Sequence, residues 1–389
     1  MQSVDLSETN VDALSALATL QQLTFLDITR TPVTSISSLR LSGSLETLSL
    51  YNSDVQVLPD MSGMSALRTL NLYGTPISDI SPLVDVPGLR TLNLNRTQVR
   101  DISVLPVLKD LRSLSLNGLN LADMKPVSQL KDLRFLSVID PVYDTDRNTD
   151  LSFLRGLDRL QFLEMDVVGD VGLATIGDLG SLQDLRLYGD DITDIAPLGR
   201  LTGLTELRLS MDSIDDYAAL APLTALERIG IYGDGANDLG ALMQLTELKA
   251  LTLAAGNVDD LSDLTNFPSL TQLVLFRPSV DDYTPLATLV NLESAQLSGA
   301  NLTDVAYFSG MTGLERLTLD GSKIDRLDDL AGLTTLRTLN ISETQVTDLA
   351  PIAGLTGLRR LWLRKAPVTS LDPIAPLIEN GLMVNGFDG

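Results

Sequence analysis

The chain has 389 residues, 44% of them apolar but only 4% aromatic, and a formal charge of −23. It contains no cysteine and no histidine, which excludes disulfides, thiolate zinc sites, Ser-His-Asp triads and Cys-His pairs. No apolar run reaches the about 18 residues of a membrane-spanning helix, and a charge this negative repels nucleic-acid backbones and anionic membranes while attracting a basic protein patch.

The N-terminus, MQSVDLSETN, has no basic region followed by an apolar stretch, so no signal peptide is expected. Val4-Asp5-Leu6 already opens a repeat, so no N-terminal cap is recognisable. From there paired apolar residues in an L-x-L frame recur at Leu26/Ile28, Leu48/Leu50, Leu70/Leu72 and onward to Leu136/Val138. They resume at Leu163/Met165 and continue to Leu361/Leu363. These are 17 units; fifteen of the sixteen steps are 22 residues, and the step from Leu136 to Leu163 is 27. A fixed period in this range marks stacked repeats. No Gly/Ser-rich or Pro-rich linker interrupts the beat, so residues 1–389 read as one elongated domain.

Residues 67–88, LRTLNLYGTPISDISPLVDVPG, show one unit. Leu67-x-x-Leu70-x-Leu72 alternates with period two and reads as a short strand. Leu70 and Leu72 point inward; Thr69, Asn71 and Tyr73 point outward. Gly74 and Thr75 turn the chain, and Ile77 and Ile80 return apolar groups to the core. Asp79 precedes a short helical turn and is placed to accept its orphan N–H groups. The same Asp recurs at Asp101, Asp123, Asp150, Asp194, Asp216, Asp238, Asp260, Asp282, Asp304 and Asp348. Pro follows three residues later at Pro82, Pro126, Pro197, Pro285 and Pro351, which suits a first helical turn.

The five-residue excess falls at 144–148, an insertion read as a solvated loop. Asp144, Asp146 and Asn148 alternate there like the start of a calcium loop. The match is incomplete: Thr149 holds the glycine position and Arg155 stands where the closing Glu would be. Near the end, residues 359–365 read RRLWLRK, a basic aromatic cluster in an acidic chain. The tail GLMVNGFDG reads as at most one incomplete turn.

The pattern L-x-x-L-x-L-x-x-T-x-[VI]-x-D-[IL]-x-P-L resembles the 22-residue class of leucine-rich repeats, above all the internalin-type repeats of bacterial surface proteins. The stretches LRTLNLYGTPISDISPL (67–83), LQDLRLYGDDITDIAPL (182–198) and LRTLNISETQVTDLAPI (336–352) carry the likeness. It implies an α/β solenoid: a curved leucine-rich-repeat horseshoe, with a parallel β-sheet on the concave face and short helical or 3-10 turns on the convex face. The chain departs from the family at the turn Asn. That position holds Thr9, Thr31, Ser53, Thr75, Thr97, Asp190, Asp212, Asp234, Ser322 and Thr344 in several repeats, and Leu119, Pro278, Ala300 or Ala366 in others. Hydroxyls replace part of the Asn hydrogen bonding; the apolar residues break any ladder.

Outward strand positions need no apolar residue for folding, so aromatics there are candidate partner-binding residues. Tyr51, Tyr73, Tyr188, Tyr232 and Phe276 share one column, and Phe25, Phe135 and Phe162 another. Arg360, Trp362 and Arg364 are expected to face out together. These columns, with the resemblance, point to a non-enzymatic protein-recognition module without cofactor or nucleic acid, in a bacterial surface or host-directed protein. The alternative is an intracellular scaffold that binds an enzyme such as a phosphatase. The adjacent pairs Asp190-Asp191, Asp215-Asp216, Asp259-Asp260 and Asp281-Asp282 diverge in direction and form no acid/base pair across a substrate.

Overall fold

The computed structural model describes residues 2–139, 150–211, 214, 216–233, 239–254, 258, 260–278 and 280–387, and the backbone alone for Asp190 and Leu239. The calcium candidates Asp144, Asp146 and Asn148, like the whole 144–148 insertion, lie outside these residues. The chain divides into two compact units, Met1–Tyr188 and Gly189–Gly389.

In the first unit, strands fall on the L-x-L frames: Phe25–Asp27, Thr47–Ser49, Thr69–Asn71, Thr91–Asn93 and Ser113–Ser115. Successive strands pair in parallel and in phase, Leu48 against Leu70 and Leu70 against Leu92. The longer step keeps that phase, with Phe135 opposite Phe162 and Leu136 opposite Leu163. Strands this short persist because their inward residues share one aliphatic core. Leu67, Leu70, Leu72, Ile77, Ile80, Leu83 and Val86 of a single repeat are all buried. Each such side chain contributes about 1.5–3 kcal/mol by leaving water, and only stacking on neighbours closes the open ends of a repeat.

The recurring aspartate caps the turn that follows it. The N–H of Ser81 donates to Asp79 at 2.8 Å, that of Ser103 to Asp101 at 2.8 Å and that of Lys125 to Asp123 at 2.8 Å. The N–H of Ser152 reaches Asp150 at 2.9 Å. In the second unit Asp194, Asp216, Asp260, Asp282, Asp304 and Asp348 accept in the same way. Asp238 lies outside the described residues. The backbone N–H groups of Ser103 and Thr284 hold the Asp101 and Asp282 carboxyls below their ordinary range. The turns themselves are 3-10, and Pro82, Pro126, Pro197, Pro285 and Pro351 sit in their first two positions.

At the family's Asn position the turn hydroxyls bond locally. Thr31, Thr75 and Thr97 donate their hydroxyls to Ile28, Leu72 and Leu94 carbonyls at 2.8 Å, and Thr344 donates to Ile341 at 2.6 Å. Each bond closes within its own repeat, so these hydroxyls link nothing along the stack. Among the described residues, the buried hydroxyls of Ser53 and Ser322 have no hydrogen-bond partner. One residue earlier the backbone is left-handed, with φ of 53° at Arg30, 51° at Asn52, 68° at Gly74, 55° at Arg96 and 75° at Gly118. Asn52 and Arg96 in this column each lie over a glycine of the next repeat. A methyl on Gly74 collides with Asn52 Oδ1, and one on Gly118 comes within 3.3 Å of Arg96 Cγ.

The second unit opens with five-residue strands, among them Glu206–Ser210, Arg228–Tyr232, Ala250–Ala254, Gln272–Phe276 and Ser294–Ser298. It then returns to three residues at Arg316–Thr318, Thr338–Asn340 and Arg360–Trp362. Strands closed by Ser322 or Thr344 stop after three residues, whereas those followed by Pro278 or Ala300 run to five. Nothing in the structure explains why the strands before Leu119 and Ala366 are also short. The left-handed column reappears here at Arg277, Gly299, Gly321, Glu343 and Lys365. The tail, expected to give at most an incomplete turn, forms one further strand, Met383–Asn385, paired in parallel with Arg360–Trp362.

Candidate functional site

In the first unit the six candidate aromatics Phe25, Tyr51, Tyr73, Phe135, Phe162 and Tyr188 are all half-buried. Four of them form two separate stacks rather than a continuous strip. Tyr51 and Tyr73 stack with centroids 4.5 Å apart, and the Arg96 guanidinium lies 5.6 Å from the Tyr73 ring. Phe135 and Phe162 stack at 4.2 Å, with Arg186 5.1 Å from the Phe162 ring. Such pairs contribute about 0.5–1.5 kcal/mol beyond area burial, so much of each ring is committed to its neighbour and held rigid by it.

A polar chain joins these strands. The Asn117 N–H donates to Asn95 Oδ1 at 2.7 Å, and Asn117 Oδ1 accepts from the Ile139 N–H at 2.8 Å. The Ser137 hydroxyl shares one proton between Asn117 Oδ1 at 2.9 Å and Glu164 Oε2 at 2.8 Å. The Tyr188 hydroxyl donates to Glu164 Oε1 at 3.2 Å. Tyr188 is thereby oriented by a carboxylate, which the sequence pattern alone did not indicate.

In the second unit the Tyr232 ring lies back over Gly230, where a Cβ would meet it at 2.9 Å. Phe276 is 37% exposed. Arg360 and Arg364 are exposed and Trp362 is half-buried between them in sequence. The expected free basic cluster is partly neutralised: Arg364 and Lys365 reach the same Glu343 oxygen at 2.8 and 3.1 Å. The Lys365 ammonium, and after it Arg364, holds the Glu343 carboxyl below its ordinary range. Asp320, Asn340, Trp362, Arg364 and Asn385 help to line a shallow depression of about 480 Å³ beside this pair.

A second recurrence runs beside the aromatic columns. Arg68, Arg90, Arg112 and Arg134 enter four successive strands at 22-residue spacing. Arg68 is half-buried and donates to the Ser65 and Leu67 carbonyls at 3.2 and 2.9 Å. Arg90, Arg112 and Arg134 are exposed, and among the described residues their guanidinium groups have no ion pair or hydrogen-bond partner. Among the described residues, no group of three or more Asp or Glu is arranged to hold a metal ion, and no helix is long and apolar enough to cross a membrane.

The repeats, the parallel sheet and the 3-10 turns define a leucine-rich-repeat protein. Its fold is that of leucine-rich-repeat proteins, and its repeats are internalin-like. A family model described as Leucine Rich repeats (2 copies) matches residues 65–109 and 334–376. Among solved structures the chain is similar to an internalin (InlF) from Listeria monocytogenes, at 26% identity over 89% of this chain and 88% of that one, with a TM-score of 0.50. It is similar to a leucine-rich-repeat protein from Leptospira interrogans, at 20% identity over 99% and 95% of the two chains, with a TM-score of 0.66. A plant peptide hormone receptor, RGFR1, solved in complex with RGF2, is 17% identical over 94% of this chain and 63% of its own, with a TM-score of 0.56. No curated protein matches the sequence.

Proposed function

We propose that this chain is a non-enzymatic protein-recognition module that engages its partner on its strand faces, in a bacterial surface or host-directed protein. The observation that carries this reading is the set of rings at outward strand positions, where the core needs no apolar group. Tyr188 fixed by Glu164, Tyr232 over Gly230 and the exposed Phe276 are the central residues. Phe25, Tyr51, Tyr73, Phe135, Phe162 and the Arg360–Trp362–Arg364 group extend the surface. Rigid aromatics lose little entropy on docking, which is why they anchor interfaces. The likeness to InlF supports the setting, and the likeness to a receptor solved with RGF2 supports use of this fold for ligand recognition.

The second unit has 28 Asp or Glu against 13 Lys or Arg, which suits a basic patch on the partner. A catalytic reading gains no support from the aspartates: Asp282 of the Asp281-Asp282 pair is committed to the Thr284 N–H. The test uses the intact chain as bait and then the Tyr188→Ala/Tyr232→Ala/Phe276→Ala variant. Expected is an unchanged melting temperature with loss of the captured partner. Equal capture by both proteins overturns the assignment.

A further inference from the structure

The basic ladder in the first unit is at odds with the charge of the chain. Residues 65–139 hold nine Lys or Arg and six Asp or Glu, a surplus of three positive charges in a chain of −23. Most of those acids are already engaged: Asp79, Asp101 and Asp123 accept backbone N–H groups, and Asp132 pairs with Arg159. Arg90, Arg112 and Arg134 immediately precede adjacent in-register parallel strands, since Thr91 pairs with Ser113 and Ser113 with Phe135, and the Arg112 and Arg134 N–H groups donate to the Arg90 and Arg112 carbonyls at 2.8 Å. Neighbouring rungs are therefore about 4.8 Å apart. Like charges side by side on a sheet are destabilising, and folding gains nothing from these three guanidinium groups.

We propose that the Arg90–Arg112–Arg134 ladder binds an acidic polypeptide segment, held as a helix running across the strands with one carboxylate per turn. The inference rests on the reading of the strand faces as protein-recognition surfaces and names the chemistry of what one part of them takes. Spacing favours the helix. Its carboxylates repeat every turn, about 5.4 Å, close to the about 4.8 Å between rungs, whereas alternate residues of an extended strand are about 6.6 Å apart. Arginine suits the task because its planar fork meets a carboxylate with two parallel hydrogen bonds. The stacked Phe135 and Phe162 lie beside the last rung and offer an apolar flank to the same helix.

The experiment measures fluorescence anisotropy of a labelled helical peptide with Glu on one face, once per turn, added to the full chain. A peptide with Gln in place of Glu and an oligouridine of equal charge serve as competitors. Expected is saturable binding that weakens with added salt and falls at least tenfold in Arg90→Gln/Arg112→Gln/Arg134→Gln, with the melting temperature unchanged. Gln is chosen because Gln161 naturally fills the next position of this column. Equal binding by the variant, or no binding by the parent chain, overturns the proposal and leaves the aromatic pull-down to decide the broader reading. Tighter binding of oligouridine overturns the polypeptide assignment. Self-association of the parent chain that the variant loses makes a second copy the occupant and also overturns it. Retention of peptide binding by the Tyr188→Ala/Tyr232→Ala/Phe276→Ala variant supports a ladder that acts on its own.

Discussion

Residues 65–139 of the first unit and residues 189–304 of the second follow the same 22-residue beat and bury the same aliphatic columns, yet present opposite surfaces. The first stretch has nine basic and six acidic residues, strands of three or four residues and, at Thr75 and Thr97, tight hydroxyl-closed turns. The second has five basic and eighteen acidic residues and five-residue strands. The difference teaches that in a repeat of this kind the inward positions set the architecture and the outward ones are free to diverge. Charge and turn chemistry vary unit by unit without disturbing the register.

The equivalence of the two cores is the most demanding claim to break. Leu94→Ala and Leu253→Ala each remove a fully buried side chain, so each is expected to cost about 2–5 kcal/mol in denaturant unfolding. A difference between them as large as the effect itself shows that the cores are not alike. The turns should separate next. Gly74→Ala meets both a φ of 68° and the Asn52 side chain, and is expected to lose about 1–2 kcal/mol. Gly313→Ala, in the second unit with open space around it, should be neutral or slightly stabilising; comparable melting-temperature losses for both would remove the distinction.

Smaller effects sharpen the turn chemistry. Thr75→Ala removes a buried hydroxyl bonded to Leu72 and is expected to cost about 1 kcal/mol. Ser322→Ala removes a hydroxyl that has no partner and should lie within about 0.5 kcal/mol of the parent. The smallest signal is acid titration. The Asp101, Asp150 and Asp282 carboxyls are held below their ordinary range in the folded chain. Their contribution is thus present above the unfolded-state value and is lost as pH falls through the lowered one. Melting temperature should drop below about pH 4, and Asp101→Asn/Asp282→Asn should flatten that drop; an unchanged slope shows that the caps titrate without consequence.

Much of this was legible in the sequence, for a physical reason. Period-two strands, capping Asp and first-turn Pro are local rules, and a repeat states each of them many times. Tyr51 against Tyr73 was legible as a contact between neighbours one step apart. The Phe135–Phe162 stack was less so, because it spans the 27-residue step. The left-handed turn was hidden at Arg30 and Arg96, since neither residue type announces positive φ. The pairing of Arg364 and Lys365 with Glu343 depends on how long side chains lean between repeats, which periodicity does not encode. The arginine ladder was plain in the letters, but its significance needed the structure, which shows most of the nearby aspartates already engaged.

The interleaved left-handed column also bears on how such a chain can change over generations. Asn52 over Gly74, Arg96 over Gly118 and, in the second unit, Arg277 against Gly299 make neighbouring repeats fit as unlike halves. Elsewhere in the column like residues already adjoin: Glu8, Arg30 and Asn52, Gly299 and Gly321, and Glu343 and Lys365. Gain or loss of a single 22-residue unit should be tolerated at those places, whereas between Asn52 and Gly118 a step of 44 residues, two repeats, keeps each bulky residue over a glycine.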